Sequence, residues 1–205
     1  MDIRKYFKIQ IPESDKIQES DKIQESDKIQ ESLVKTHRIY TDGSTFNNGK
    51  KDITCVGGFG VFFGDNDSRN ISQGLKTNKV SNNVAELMAC QKGILQVTNT
   101  MDFHPSDIIL VCTDSQYMID SIEKWSNSWE SNGWKRCVKG KLKPVKNLEL
   151  IKEIKNLYRR YNVKFKHIKA HQIEPMNKTS MEYQDWYGNK MADKLAIMGS
   201  KKMLS

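Results

Sequence analysis

Four carboxylates in this chain each stand in a local pattern that could hold them for chemistry. Asp42 lies in Ile39-Tyr-Thr-Asp-Gly-Ser44 and Glu86 in Asn82-Asn-Val-Ala-Glu-Leu-Met88. Asp114 lies in Ile109-Leu-Val-Cys-Thr-Asp-Ser-Gln116 and Asp193 in Gly188-Asn-Lys-Met-Ala-Asp-Lys-Leu195. Asp42 and Asp114 each close an apolar, β-branched run, which reads as a strand buried on both faces. A lone acid there is costly unless its charge is offset. Glu86 and Asp193 fall in helical patterns. Acids brought to one point repel one another unless a divalent cation lies between them. An all-oxygen set suits Mg²⁺ or Mn²⁺. Two such ions can activate a water and stabilise a departing oxygen in phosphodiester cleavage. Taken singly, Asp42 and Asp114 read equally well as turn caps, because Asp-Gly and Asp-Ser are good turn dipeptides.

Further blocks follow in order. They are Thr41-Asp-Gly-Ser44, Asn82-Asn83 with Glu86, Thr113-Asp-Ser-Gln116, the Trp-rich basic stretch Trp125 to Asn147, Lys169-Ala-His171, and Asn189 with Asp193. This series resembles the type 1 ribonuclease H family, in its cellular form with a basic protrusion, from about His37 to about Ser200. The resemblance implies an α/β fold, ribonuclease H-like, with a mixed five-stranded sheet flanked by helices. It implies hydrolysis of the RNA strand of RNA–DNA hybrids with two Mg²⁺ ions, or Mn²⁺ in their place, leaving 5′-phosphate and 3′-hydroxyl ends. Primer or hybrid removal during DNA replication is the expected role. The implied catalytic set is Asp42, Glu86, Asp114, His171 and Asp193. Asp42 would bridge both ions, and His171 would aid proton transfer or product release. Nine residues, Glu174-Pro-Met-Asn-Lys-Thr-Ser-Met-Glu182, read as an insertion between His171 and Asp193, unlike the compact bacterial form.

The same resemblance implies substrate contacts. Asn82, Asn83 and Gln116 match amides that read the minor groove of the hybrid, where a 2′-OH tells RNA from DNA. The bland role of Asn82 and Asn83 is to cap the helix that follows. Lys79, Ser81 and Asn147 match positions that hold one DNA-strand phosphate. Six bases and no acid lie between Ser131 and Leu148, and Lys139, Lys141 and Lys143 among them suit phosphate neutralisation. Trp125, Trp129 and Trp134 could line the DNA sugar backbone, or pack into the core. A lone His such as His171 is commonly structural, and its match is what favours a functional reading.

The elements that must position these groups read as three strands (His37–Phe46, Cys55–Gly64, about Ser68–Gly74), a helix (Asn83–Thr98) and a fourth strand (Asp107–Thr113). A further helix and the basic handle lead to a helix over Asn147–Tyr161, a strand over Val163–Ile168 and a closing helix over Trp186–Met198. Apolar content of 37% in 205 residues supports one core. The net charge of +8 points to a polyanion such as nucleic acid, against the plainer reading of a soluble basic surface. Cys55, Cys90, Cys112 and Cys137 lack metal-ligand spacing and fit a reducing compartment. No run is long enough to span a membrane, and no signal peptide is evident. A monomer is expected. The setting is intracellular: nucleus or viral replication compartment in a eukaryote or virus, otherwise cytoplasm.

Residues 1–35 read as a separate disordered tail and 36–205 as the catalytic domain. Residues 14–31 repeat Ser-Asp-Lys-Ile-Gln-Glu three times, with one apolar residue per unit and no means of forming a core. Ahead of them Ile3, Tyr6 and Phe7 resemble the hydrophobic plug of sliding-clamp-binding peptides, although the leading Gln of that motif is absent. A short apolar start with no partner is the alternative. Two rival functions are a non-catalytic hybrid-binding module, which should lack an acid, and a resolvase- or integrase-like nuclease, which should lack the amides and the basic handle. The sequence has all of them.

Overall fold

The computed structural model describes residues 34–47, 55–75 and 80–204. The hexapeptide repeats, Ile3, Tyr6, Phe7 and Lys79 lie outside the described residues. One compact unit runs from Thr36 to Ser205.

Three strands open it: β1 (Thr36–Phe46), β2 (Val56–Phe62) and β3 (Ile71–Leu75). They form an antiparallel meander. The β2–β3 turn is closed by Asp67 N–H on the Gly64 carbonyl at 3.4 Å, with Asn66 in the left-handed region at φ 56°. Helix α1 (Asn82–Thr98) then crosses over to β4 (Ile108–Thr113), which joins β1 in parallel. Strand β7 (Asn162–His167) adds in parallel beyond β4, so the sheet order is β3-β2-β1-β4-β7. This is the mixed five-stranded sheet expected. Strand β2 is buried along its whole length and β4 over its last three residues, as apolar runs covered on both faces require.

Between β4 and β7 lie α2 (Gln116–Asp120), one wide π turn (Ser121–Trp125), α3 (Ser126–Ser131), the hairpin strands β5 (Lys135–Val138) and β6 (Lys141–Pro144), and α4 (Leu148–Arg160). The chain ends in α5 (Met181–Lys201). Alternation along β1 divides the core. Ile39 joins Leu87, Ile94, Ile151 and Ile154 in the larger cluster beneath α1 and α4. Tyr40 joins Phe62, Cys112 and Ala192 in a smaller cluster under α5. Full burial of each large aliphatic contributes about 1.5–3 kcal/mol.

Two details correct the sequence-based expectations. Asp42 is not at the end of its strand, because β1 continues to Phe46 against β2, with Asp42 opposite Gly60. What ends beside Asp42 is the parallel pairing with β4, whose last partners are Tyr40 and Cys112. The closing helix starts at Met181, five residues earlier than expected. Ser180 caps it by accepting from the Tyr183 amide at 3.1 Å, so Met181 and Glu182 are its first turn instead of part of an inserted loop.

Close backbone contact sets where the helices sit. A Cβ on Gly43 would fall on the Glu86 amide and on Ala85, so glycine there lets α1 rest directly on β1 beside Asp42. A Cβ on Gly60 would strike the Ala192 carbonyl of α5. Gly60→Ala should therefore cost at least about 3 kcal/mol, the upper end for overpacking, because backbone cannot step aside. The expected fall in Tm is about 6–12 °C for a domain of this size. A calorimetric Tm within a degree of wild type would contradict this packing.

Candidate active site

The parallel register creates the site. Tyr40 pairs with Cys112, so continuing that offset puts Asp42 level with Asp114, just where β4 ends and leaves room beside β1. Glu86 enters the gap from the first turns of α1, brought close by Gly43. Ligand oxygens of Asp42, Glu86 and Asp114 all lie within 4.8 Å of one another. Asp193, on α5, faces Asp42 closely enough to raise its pKa and share a hydrogen bond with it. Asn189, one turn before Asp193, donates to Asp114 Oδ2 at 3.3 Å and so orients that carboxylate.

Charge is the central fact of this cluster. Asp42 is 6% exposed and Glu86 5%. Two unit charges at the 4.8 Å limit repel by about 3.5 kcal/mol at an effective dielectric constant of about 20. Burial, first, and then the charges of Asp114 and Asp193 together push Asp42 up to about 8. Burial also holds Glu86 well above the ordinary carboxylate range, with Asp42 and Asp114 adding to it. The Gly43 amide donates to both carboxyls and offsets part of the rise. Glu86 Oε2 is buried with no hydrogen-bond partner in the described structure. An all-oxygen donor set, mutual repulsion and an unpartnered inward oxygen together fit hard divalent cations.

The carboxylates form the floor of a cleft whose walls include Asn82, Lys169, His171, Gln172, Trp186, Asn189 and Lys190. His171 therefore lines the same cleft as the carboxylates, in a left-handed backbone conformation at φ 54°. The segment after it is ordered by Asn177, whose Oδ1 accepts from the Thr179 amide at 3.0 Å and whose carbonyl accepts from Ser180. Trp186 and Lys190 were not singled out from sequence. Their one local signal is helical spacing from Asp193, which puts Lys190 one turn and Trp186 two turns before it.

Comparison with known proteins decides the family. A family model described as RNase H matches residues 34–201. The chain belongs to the RNase H family. It is 37% identical over 164 residues to a ribonuclease H of Schizosaccharomyces pombe, covering 80% of this chain and 53% of that protein. It thus spans about half of the fission yeast relative. A ribonuclease H of Pseudoalteromonas atlantica is 34% identical, covering 70% of this chain and 84% of that one. Among solved structures, the PFV RNase H domain matches with TM-score 0.56 and 26% identity over 80% of this chain and 93% of that one. A foamy viral protease–reverse transcriptase solved in complex with RNA/DNA hybrid matches with TM-score 0.55 and 26% identity, over 80% of this chain and 20% of that one.

The residues expected to touch an RNase H substrate are distributed as follows. Ser81 is the α1 N-cap, accepting from Val84 N–H at 3.4 Å. Asn82 and Asn83 are thus not caps but the first helical residues, and Asn82 lines the cleft while its Oδ1 accepts from Thr45 at 3.3 Å. The Gln116 amide donates to Asp120 at 2.8 Å. Asn147 sits in the left-handed region before α4 and donates to the Tyr117 hydroxyl at 3.3 Å. The π turn staggers the tryptophans. Trp125 stays 38% exposed, whereas Trp129 and Trp134 are half-buried against the core. Lys139 and Gly140, both at positive φ, form the two-residue turn of the β5–β6 hairpin. Lys139 on that turn and Lys141 and Lys143 on β6 are all exposed. Glu130 braces the hairpin's base by pairing with Lys155 and Arg159, each at 2.7 Å.

The raised Asp42 pKa has a signed consequence for stability without metal. Below the ordinary value of 3.8, Asp42 is protonated whether the chain is folded or not. As pH rises from 3.8 to about 8, the unfolded chain ionises while the folded site holds its proton, so stability drains away. Above about 8 both states are ionised and the loss is complete. In EDTA, the stability advantage of Asp42→Asn over wild type should grow through that window to several kcal/mol, since each tenfold difference in proton affinity is worth on the order of 1.4 kcal/mol. Saturating Mg²⁺ should erase much of it for wild type only. Urea midpoints for the two proteins that stay parallel from pH 4 to 8 would contradict the charge clustering.

Proposed function

We propose that this ribonuclease H cuts the RNA strand of RNA–DNA hybrids at the Asp42–Glu86–Asp114–Asp193 cluster, with two divalent cations, Mg²⁺ in the cell. The observation that carries the reading is the convergence of Asp42, Glu86 and Asp114 oxygens within 4.8 Å, the first two residues buried, in a chain of this family. Bound between Asp42 and its neighbours, the ions would lower the pKa of the attacking water and stabilise charge on the departing oxygen.

The chain's own residues supply position and proton handling. Asp42 holds the centre of the site and Asn189 fixes the Asp114 carboxylate. Asn82, Glu86 and Gln116 recognise the 2′-OH as donors and acceptors, so deoxyribose gives them less to hold. His171, on the cleft wall, moves a proton at the leaving 3′-oxygen, and the products are a 5′-phosphate and a 3′-hydroxyl. Trp125 and the hairpin lysines bind the DNA strand, with Lys79, Ser81 and Asn147 around one of its phosphates. A role in primer or hybrid removal during replication, a monomeric state and an intracellular setting belong to the same proposal and rest on the sequence.

Asp42→Asn should lower cleavage of a labelled hybrid at least about 10³-fold while the far-UV spectrum stays native, because a bridging charge is gone. Replacing the scissile ribonucleotides with deoxyribonucleotides should stop wild-type cleavage. Robust Mg²⁺-dependent activity in Asp42→Asn would sink the site assignment. Duplex DNA cut as fast as hybrid would favour a resolvase-like nuclease instead.

The tail suggests a partner as well. We propose that Ile3, Tyr6 and Phe7 plug into a sliding clamp and that the charged repeats tether the nuclease to it, raising its effective concentration near replicating DNA. A peptide of residues 1–13 should bind the cognate clamp with a Kd on the order of micromolar. Tyr6→Ala with Phe7→Ala should abolish that binding. Calorimetry showing no heat for the wild-type peptide at high concentration would dispose of the tether and leave the nuclease untouched.

A further inference from the structure

The histidine of the site has no visible means of support from its own side chain. His171 follows β7 on an exposed segment, and among the described residues no hydrogen bond holds its ring. Its backbone sits at φ 54°, a conformation that L-residues other than glycine seldom adopt without outside help. Something must fix this peptide if the imidazole is to stay over the carboxylates.

The neighbouring residue is held, and by a single group. The Trp186 indole N–H donates to the Gln172 carbonyl at 3.0 Å. Trp186 is itself pinned. Lys190 Nζ lies 4.5 Å from its ring centroid, and the Tyr183 ring packs against it at 5.5 Å between centroids. The turn that carries it is anchored to the sheet next door. Asp185 pairs with Arg38 of β1 at 2.7 Å and with Lys166 of β7 at 2.6 Å. Trp186 also shares α5 with Asn189 and Asp193. One rigid helix thus places a carboxylate of the metal-binding set and holds the peptide beside the histidine.

We propose that Trp186 is a positioning residue that latches the His171 segment onto α5 through its indole N–H. The proposal rests on the nuclease reading for its effect on rate but not for the latch itself. It gives the extra first turn of α5 a purpose, because that turn presents Tyr183 to the indole and Asp185 to the sheet. A residue with an aromatic ring alone would keep the packing and lose the latch.

Trp186→Phe is the test, since it removes the donor and retains a ring. On hybrid, kcat should fall about tenfold with KM within twofold and Mg²⁺ affinity unchanged, as expected when a proton-handling group is displaced. The same substitution made in a His171→Ala background should cause no further loss. Amide ¹⁵N relaxation of His171, Gln172 and Ile173 should show added motion in Trp186→Phe, while amides of Asn189 and Asp193 remain as in wild type. Three results would overturn the latch: unchanged kcat, an equal loss in the His171→Ala background, or unchanged relaxation of the segment. If wild type fails to cut hybrid at all, the nuclease reading falls, and relaxation alone judges the latch.

Discussion

Carboxylates that repel one another occupy the centre of this molecule, and the elements around them keep those groups close. Each near pair costs on the order of 3–4 kcal/mol if both members are charged. No single local interaction repays that. The cost is carried by packing elsewhere: α1 laid on Gly43, α5 laid on Gly60, and two apolar clusters on opposite faces of one sheet. The fold is therefore a brace that holds these carboxyls together against their mutual repulsion.

The bracing is uneven, and this divides labour within the site. Asp42 lies within the central strand, paired with Gly60 of β2 just past the end of the β4 pairing. Asp114 has just left its strand and needs Asn189 to orient it. Asp193 depends on how α5 lies, and α5 is fixed by backbone contact at one end and by Asp185, Arg38 and Lys166 at the other. His171 is the least supported group, on an exposed segment in a left-handed conformation. A braced carboxylate cluster thus stands beside a histidine on a less supported segment of the same cleft.

The basic hairpin follows a different principle. Its lysines are exposed on a two-residue turn and the strand that follows, and two of the three tryptophans near them are half-buried against the core. Accessible charge needs little geometric precision, and a short, exposed ribbon supplies it. Glu130 with Lys155 and Arg159 ties its base to α4, which keeps the ribbon's direction constant. Positive charge is concentrated on the exposed hairpin, and close geometry is concentrated at the cleft.

By itself the sequence determined the family pattern and the kinds of element. The four acids, the amides, the histidine and the basic run are legible because each sits in a short pattern, and apolar periodicity is a local property that marks strand or helix directly. Helix ends were less legible. Ser81 competes with Asn82 and Asn83 as a cap, and Ser180 lies in a polar stretch that resembles an insertion, since side-chain capping depends on backbone angles that spacing does not reveal. Only the tertiary structure decided the register that brings Asp42 level with Asp114, the glycine contacts that bring Glu86 and Asp193 inward, and the Trp186 contact with Gln172. Those are meetings between residues far apart in the chain. They are set by how whole surfaces fit, and no stretch of neighbouring residues carries that information.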